Sequence, residues 1–202
     1  MTTFSDNDIF GILFDLYGED DFPIEKDWYY HAFAFDEERF TDILTDGIKS
    51  PKLLKKEPVG NNGRYYISLS RNLNIEEEST VSAYNIFSYL PMFIIDGNIR
   101  TYKTSTEIVY PTVITNSILP LRDSEYLDEY QAFLKVKSDK ILGIAYNLYQ
   151  NYDTYGEKYS IDNLKTLKRM ILLLDEMDKK LPIIDPKMKL EIDKRKVLEL
   201  NI

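Results

Sequence analysis

Residues 28–35, WYYHAFAF, hold five aromatic rings with no charge, glycine or proline among them. A run of this kind cannot be left in water on either side, so it must form a strand covered on both faces. The next residues turn the chain into a helix. Asp36 supplies a capping oxygen, Glu37 and Glu38 favour the positive end of a helix, and Phe40, Ile43 and Leu44 make its buried stripe before Gly47 stops it. Strand, helix and glycine stop form the firmest unit of the chain, and the remaining elements must pack around it.

The other segments add strands. RYYISLSR (64–71) turns Tyr65, Ile67 and Leu69 to one side and Tyr66, Ser68 and Ser70 to the other, which is a strand with one polar face. MFII and IRTYK flank Asp96, Gly97 and Asn98, a hairpin signal. EIVYPTVI (107–114), EYQAFLKV (129–136) and KILGIAY (140–146) are further strands, the last two joined by a polar turn. Helical spacing recurs over 8–17, over 76–90 up to Pro91, and over 161–181, where Leu164, Leu167, Ile171, Leu174 and Met177 repeat. Pro182 and Pro186 end that last helix, and a short charged helix is expected beyond. The fold class is α+β: one domain over 1–202, with an antiparallel-rich sheet core at about 28–146, short helices, and a helical C-terminal segment from about 160 to 202.

Composition then removes function classes. The chain has no cysteine, which excludes disulfide frameworks, thiolate zinc sites and cysteine nucleophiles. His31 is the only histidine, and a lone imidazole cannot build a zinc site without carboxylate help, so no metal is expected. There is no G-x-S-x-G elbow, Walker loop or G-x-G-x-x-G. No apolar run is long enough to span a bilayer, and MTTFSDNDIF lacks the charge and apolar stretch of a secretory signal. A cytoplasmic address and no membrane partner are the expectation.

The net charge of −9 is concentrated: residues 1–38 hold eleven acidic side chains against Lys26 alone. That field repels phosphate backbones. It suits either a solvated face or an acidic docking surface for a basic protein partner.

The order of elements around His31 adds a resemblance. His31 lies in YYHAFAF, the helix FTDILTDGI ends in glycine, and NNGRYYISLS brings Gly63, Tyr65 and Ser68 in a G-x-Y-x-x-S spacing. SAYNIF carries Tyr84, and DEYQAFLKVKSDKILGI offers Glu129 at the head of a late strand. This arrangement resembles the ADP-ribosyltransferase core of the H-Y-E type, the group of diphtheria toxin and the poly-ADP-ribose polymerases, over about residues 28–146. Ala32 follows His31 where that family usually carries glycine.

The resemblance implies a split sheet, NAD as substrate, and transfer of ADP-ribose to a protein or nucleic-acid acceptor, in the setting of a bacterial or phage toxin. It implies Glu129 as the catalytic carboxylate, stabilising positive charge as the nicotinamide–ribose bond breaks. Asp123, Glu125 and Asp128 are rivals for that role. It implies His31 on the ribose of the adenosine half, and Tyr65 and Tyr84 as the nicotinamide clamp, with Tyr66 competing from the polar face of its strand. The alternative is a non-enzymatic interaction module using the acidic N-terminal region. Removal of an RNA 2′-phosphate is a third reading, for which Arg39, Arg64, Arg71, Arg100 and Arg122 are the arginines of the core region.

Overall fold

The computed structural model describes residues 12–25, 27–57, 64–71, 90–103, 129–148 and 157–202. The first unit forms, with its strand shorter than the expected 28–35. Strand β2 (Tyr29–Ala32) runs into helix α1 (Glu37–Asp46), whose cap Asp36 accepts from the Arg39 amide at 2.9 Å. Gly47 closes the helix with φ 94°, donating its amide to the Ile43 carbonyl. A Cβ there would also stand 2.1 Å from the Val136 carbonyl, so conformation and space both demand glycine.

Around this unit lie β1 (Tyr17–Asp21), β3 (Ile48–Lys49), α2 (Pro51–Leu54), β4 (Tyr66–Arg71), β5 (Met92–Ile95), β6 (Thr101–Lys103), β7 (Glu129–Phe133) and β8 (Lys135–Val136). β9 (Ile141–Ala145), α3 (Glu157–Glu176), β10 (Ile183–Asp185), β11 (Leu190–Ile192) and α4 (Lys194–Glu199) complete the described chain. Nine of the described strands join one sheet in the order β1-β11-β10-β9-β5-β2-β4-β7-β6, and β3 pairs with β8 apart from it. Within the nine, β9 with β10 is the parallel pair and the rest run antiparallel. The protein is therefore mixed α+β with a large antiparallel-rich sheet.

Most of the apolar interior forms one cluster that runs from Leu13 to Val197 along the chain. Phe33, Phe40 and Phe93 stack in it, with Phe33 and Phe93 centroids 4.2 Å apart, and so bind β2, α1 and β5 together. Leu164, Leu167, Ile171 and Leu174 of α3 are buried in the same cluster. Opening it at Phe93 would cost about 3–5 kcal/mol, as truncation of a buried aromatic does. A smaller cluster on the other side of β2 and β5 gathers Tyr30, Met92, Ile94, Ala145 and Ile184.

Several expectations are corrected. The 92–103 hairpin does not form: β6 pairs with β7, and β2, β4 and β7 stand between β5 and β6. The turn itself exists, because the Asp96 carboxylate accepts from the Asn98 amide, yet β5 already spends both edges on β2 and β9. EYQAFLKV breaks at Leu134, φ 59°, into β7 and β8, and β9 pairs with β5 and β10 rather than with either. The C-terminal segment is helical at α3 and α4 but also holds β10 and β11, which extend the sheet. Ile183 and Ile184 are buried on opposite faces, a pattern that a strand beside β9 satisfies. Residues 12–15 are helical, but Tyr17 begins β1 rather than ending a helix. The 76–90 helix, up to its last residue Leu90, and the 107–114 strand lie outside the described residues.

Candidate functional site

The three adjacent strands β2, β4 and β7 carry the sequence's candidates. β2 and β4 pair at two rungs, Tyr29 with Arg71 and Tyr30 with Ser70. Beyond these, the His31 imidazole places Nδ1 2.9 Å from the Ser68 carbonyl oxygen. A carbonyl only accepts, so Nδ1 carries the proton. Burial holds the His31 pKa below its ordinary value, opposed by the bond to Ser68 and reinforced by the Arg39 charge. The ring is thus neutral near pH 7, and Nε2 has a lone pair to offer.

Ser68 continues the chain. Its hydroxyl donates to Glu129 Oε1 at 2.8 Å across the β4–β7 ladder. His31 and Ser68 are partly exposed, whereas Glu129 is 1 % exposed. Ser68 therefore bonds to both, to the imidazole through its backbone carbonyl and to the carboxylate through its hydroxyl. Strand alternation sets His31 with Tyr29 and Phe33, on the opposite face from Glu129; Ser68 joins them because its carbonyl lies in the sheet and its hydroxyl on the Glu129 face.

On that face the polar side of β4 is buried rather than solvated. Tyr66 and Ser70 are buried there, and so are Glu129 and Gln131 of β7. Gln131 sits opposite Ser68 on one side and Tyr102 on the other. Two atoms in this patch, the Tyr66 hydroxyl and Gln131 Oε1, are buried with no hydrogen-bond partner. Burial, then the nearby Tyr102 phenol, pushes the Tyr66 pKa up, which keeps it a neutral donor.

The remaining expectations separate. Tyr65 stacks on Phe133 at 6.3 Å, under the Lys52 ammonium. Its neighbour Tyr66 is opposite Phe133, four residues along β7 from Glu129, so strand rise puts that rung about 13 Å away. Tyr66, on the Glu129 face and diagonal to Gln131, lies closer to the polar patch. Tyr84, Asp123, Glu125 and Asp128 lie outside the described residues. Arg71 is wedged between the rings of Tyr29 and Tyr130, 4.7 and 5.4 Å from their centroids, on the other face.

Gln131 was not picked out from the sequence. Its signal was present: two residues after Glu129 in a period-2 strand, it had to share the carboxylate's face. Among the described residues, no group of three or more histidine, aspartate or glutamate side chains could hold a metal ion. No described helix is long and apolar enough to cross a membrane. Comparison of the chain with protein-family models, curated proteins and solved structures finds no match.

Proposed function

We propose that this chain cleaves the nicotinamide–ribose bond of NAD and transfers ADP-ribose to a macromolecular acceptor. The observation that carries the reading is the buried Glu129 carboxylate, held by the Ser68 hydroxyl on the polar face shared by β4 and β7. His31, on the opposite face of the sheet, supports β4 through the Ser68 carbonyl and does not meet the same ligand. The Glu129 carboxylate, oriented by Ser68, accepts from the hydroxyl of the reacting ribose and stabilises the positive charge that grows there. As the bond breaks, its electron pair leaves with nicotinamide; the acceptor's lone pair forms the new bond to the ribose carbon and its proton passes to solvent or to the carboxylate.

The test is nicotinamide release from labelled NAD. Glu129→Gln keeps shape and the Ser68 hydrogen bond but removes the charge, and release is expected to fall by about 10² or more with the fold intact. Equal activity in wild type and variant overturns the assignment.

A second reading, an acidic module that docks on a basic protein, draws on the exposure of Asp21, Glu25, Asp27 and Glu38. Glu37 contributes less to such a surface, since Arg169 grips it through two hydrogen bonds of 2.8 Å. That reading expects binding to a basic partner that weakens as salt rises and when Asp21 and Glu38 are neutralised. Binding indifferent to salt overturns it.

A further inference from the structure

The stretch KSPKLLKK, Lys49 to Lys56, lies outside the catalytic face and exposes what a core would normally claim. Pro51 at the first helical position and Lys55 in the left-handed region, φ 55°, confine α2 to a single turn and put Leu53 and Leu54 at its tip. Both leucines are exposed, at 45 % and 41 %, and no residue of α2 is buried. The turn is tied to the end of β7. The Lys52 amide donates to the Arg64 carbonyl at 2.8 Å, the Lys52 ammonium stands over the Tyr65 ring, and Tyr65 stacks on Phe133, itself 41 % exposed. Single exposed apolar residues are ordinary, but two leucines and a phenylalanine gathered in one patch mark an interaction surface.

The same patch is positive. Lys52, Lys55 and Lys56 are exposed, and among the described residues none of them has a carboxylate within ion-pair reach. Lys49 lies directly opposite Lys135 in the β3–β8 ladder, a like-charge pairing that opposes strand association. Asp46 offsets it, reaching Lys49 at 2.6 Å and Lys135 at 3.5 Å, and Glu57 pairs with Arg64 at 2.8 Å. Six cations thus stand with two carboxylates, in a chain whose net charge is −9. The net charge does not decide what this patch attracts, because salt screens exposed charges beyond about 8 Å at physiological ionic strength. The local sign does.

Both features suit one kind of partner. An anionic bilayer surface takes apolar tips between its headgroups and holds ammoniums on long flexible stems at its phosphates, and the two signals together bind where either alone is weak. A nucleic acid fits less well. It offers phosphates to the lysines but little to two leucines, and the Tyr65 ring, with Phe133 stacked on it and Lys52 over it, is not an open platform for a base. We propose that this patch docks the protein on a membrane surface rich in anionic phospholipid, with Leu53, Leu54 and Phe133 in the headgroup layer and Lys52, Lys55 and Lys56 on the lipid charges. Docking of this kind needs no spanning segment, so the lack of a long apolar run, which led to the expectation of no membrane partner, does not bear on it. It is also independent of NAD cleavage.

The experiment sediments the full chain with phosphatidylcholine vesicles that carry either no charged lipid or about 30 % phosphatidylserine, at about 0.15 M salt. Wild type is expected to bind the phosphatidylserine vesicles about tenfold or more tightly than the uncharged ones. Lys52→Gln, Lys55→Gln and Lys56→Gln combined should weaken that binding about 10²-fold, and Leu53→Ser with Leu54→Ser about tenfold. Both variants should keep the urea midpoint near that of wild type, because all five side chains are exposed. No binding, equal binding to the two kinds of vesicle, or binding unchanged by the leucine pair overturns the proposal. Single-stranded DNA of about 20 nucleotides separates the sources of phosphate: an affinity for it that matches or exceeds that for the vesicles and ignores Leu53 and Leu54 assigns the patch to nucleic acid and overturns the lipid occupant.

Discussion

Two carboxylates are buried in the same sheet, and their surroundings differ in kind. Asp185, 0 % exposed at the end of β10, receives the Tyr17 hydroxyl at 2.7 Å and the amides of Leu148, Lys187 and Met188 at 3.0–3.1 Å. Three of these donors are backbone groups from a strand exit and a tight turn, so the charge serves to fix the path of the chain. Glu129, 1 % exposed on β7, receives the hydroxyl of Ser68, whose backbone carbonyl accepts from the His31 imidazole on the other face. Its strand neighbour Gln131 is left with an unpaired oxygen. A buried carboxylate ringed by backbone amides fixes the path of the chain, whereas the one reached by the Ser68 hydroxyl beside unpaired polar atoms is the one that the proposed NAD cleavage uses.

The contrast can be broken by mutation. The largest effect should come from Asp185→Ala, which strands several buried donors at once: a loss of about 4 kcal/mol in a urea titration is expected. Glu129→Gln should behave oppositely, with stability within about 1 kcal/mol of wild type and nicotinamide release down by about 10². If Glu129→Gln destabilises as much as Asp185→Ala, both carboxylates are structural and the distinction fails.

A gentler pair sharpens the same point. Tyr17→Phe removes one donor from Asp185 and should cost about 1.5 kcal/mol with the rate of nicotinamide release unaffected. Ser68→Ala removes the donor to Glu129 and should lower that rate about tenfold, because the carboxylate loses its orientation, while the unfolding midpoint moves less than in Tyr17→Phe.

The smallest effect is in pH. The folded pKa of His31 is depressed, so below about pH 6.5, the ordinary imidazole value, the unfolded chain takes up a proton that the folded one resists. Stability from this group is thus fully present above that pH and is lost as pH falls toward the folded pKa. As His31 is the only histidine, His31→Gln should flatten the stability profile between pH 7 and 5, and the wild-type imidazole should titrate in NMR at lower pH than a free histidine. An ordinary titration would show that the ring is solvated and not held against Ser68.

Local signals carried the first unit through to the structure. Asp36, the Phe40–Ile43–Leu44 stripe and Gly47 act within one helix, and their reading holds because caps and periodicity are properties of neighbouring residues. The alternation of Tyr66, Ser68 and Ser70 against Ile67 and Leu69 was equally legible, but the polar side turned out to be buried, which no count of residues along one strand could decide. Pairing was less legible. The turn at 96–98 spoke for a hairpin, and it failed because β5 had both edges taken by β2 and β9, strands distant in the chain.

For the site, the sequence by itself determined the residue types: one histidine, no cysteine, a late acid, and a polar face on β4. That Ser68 bonds to both His31 and Glu129 from between opposite faces, that Gln131 stands opposite it with an unpaired oxygen, and that Tyr66 rather than Tyr65 shares the face of Glu129 were decided by the order and register of β2, β4 and β7. Register is set by which strands compete for each edge and which faces the core claims, and those are sums over the whole chain that a local pattern does not contain.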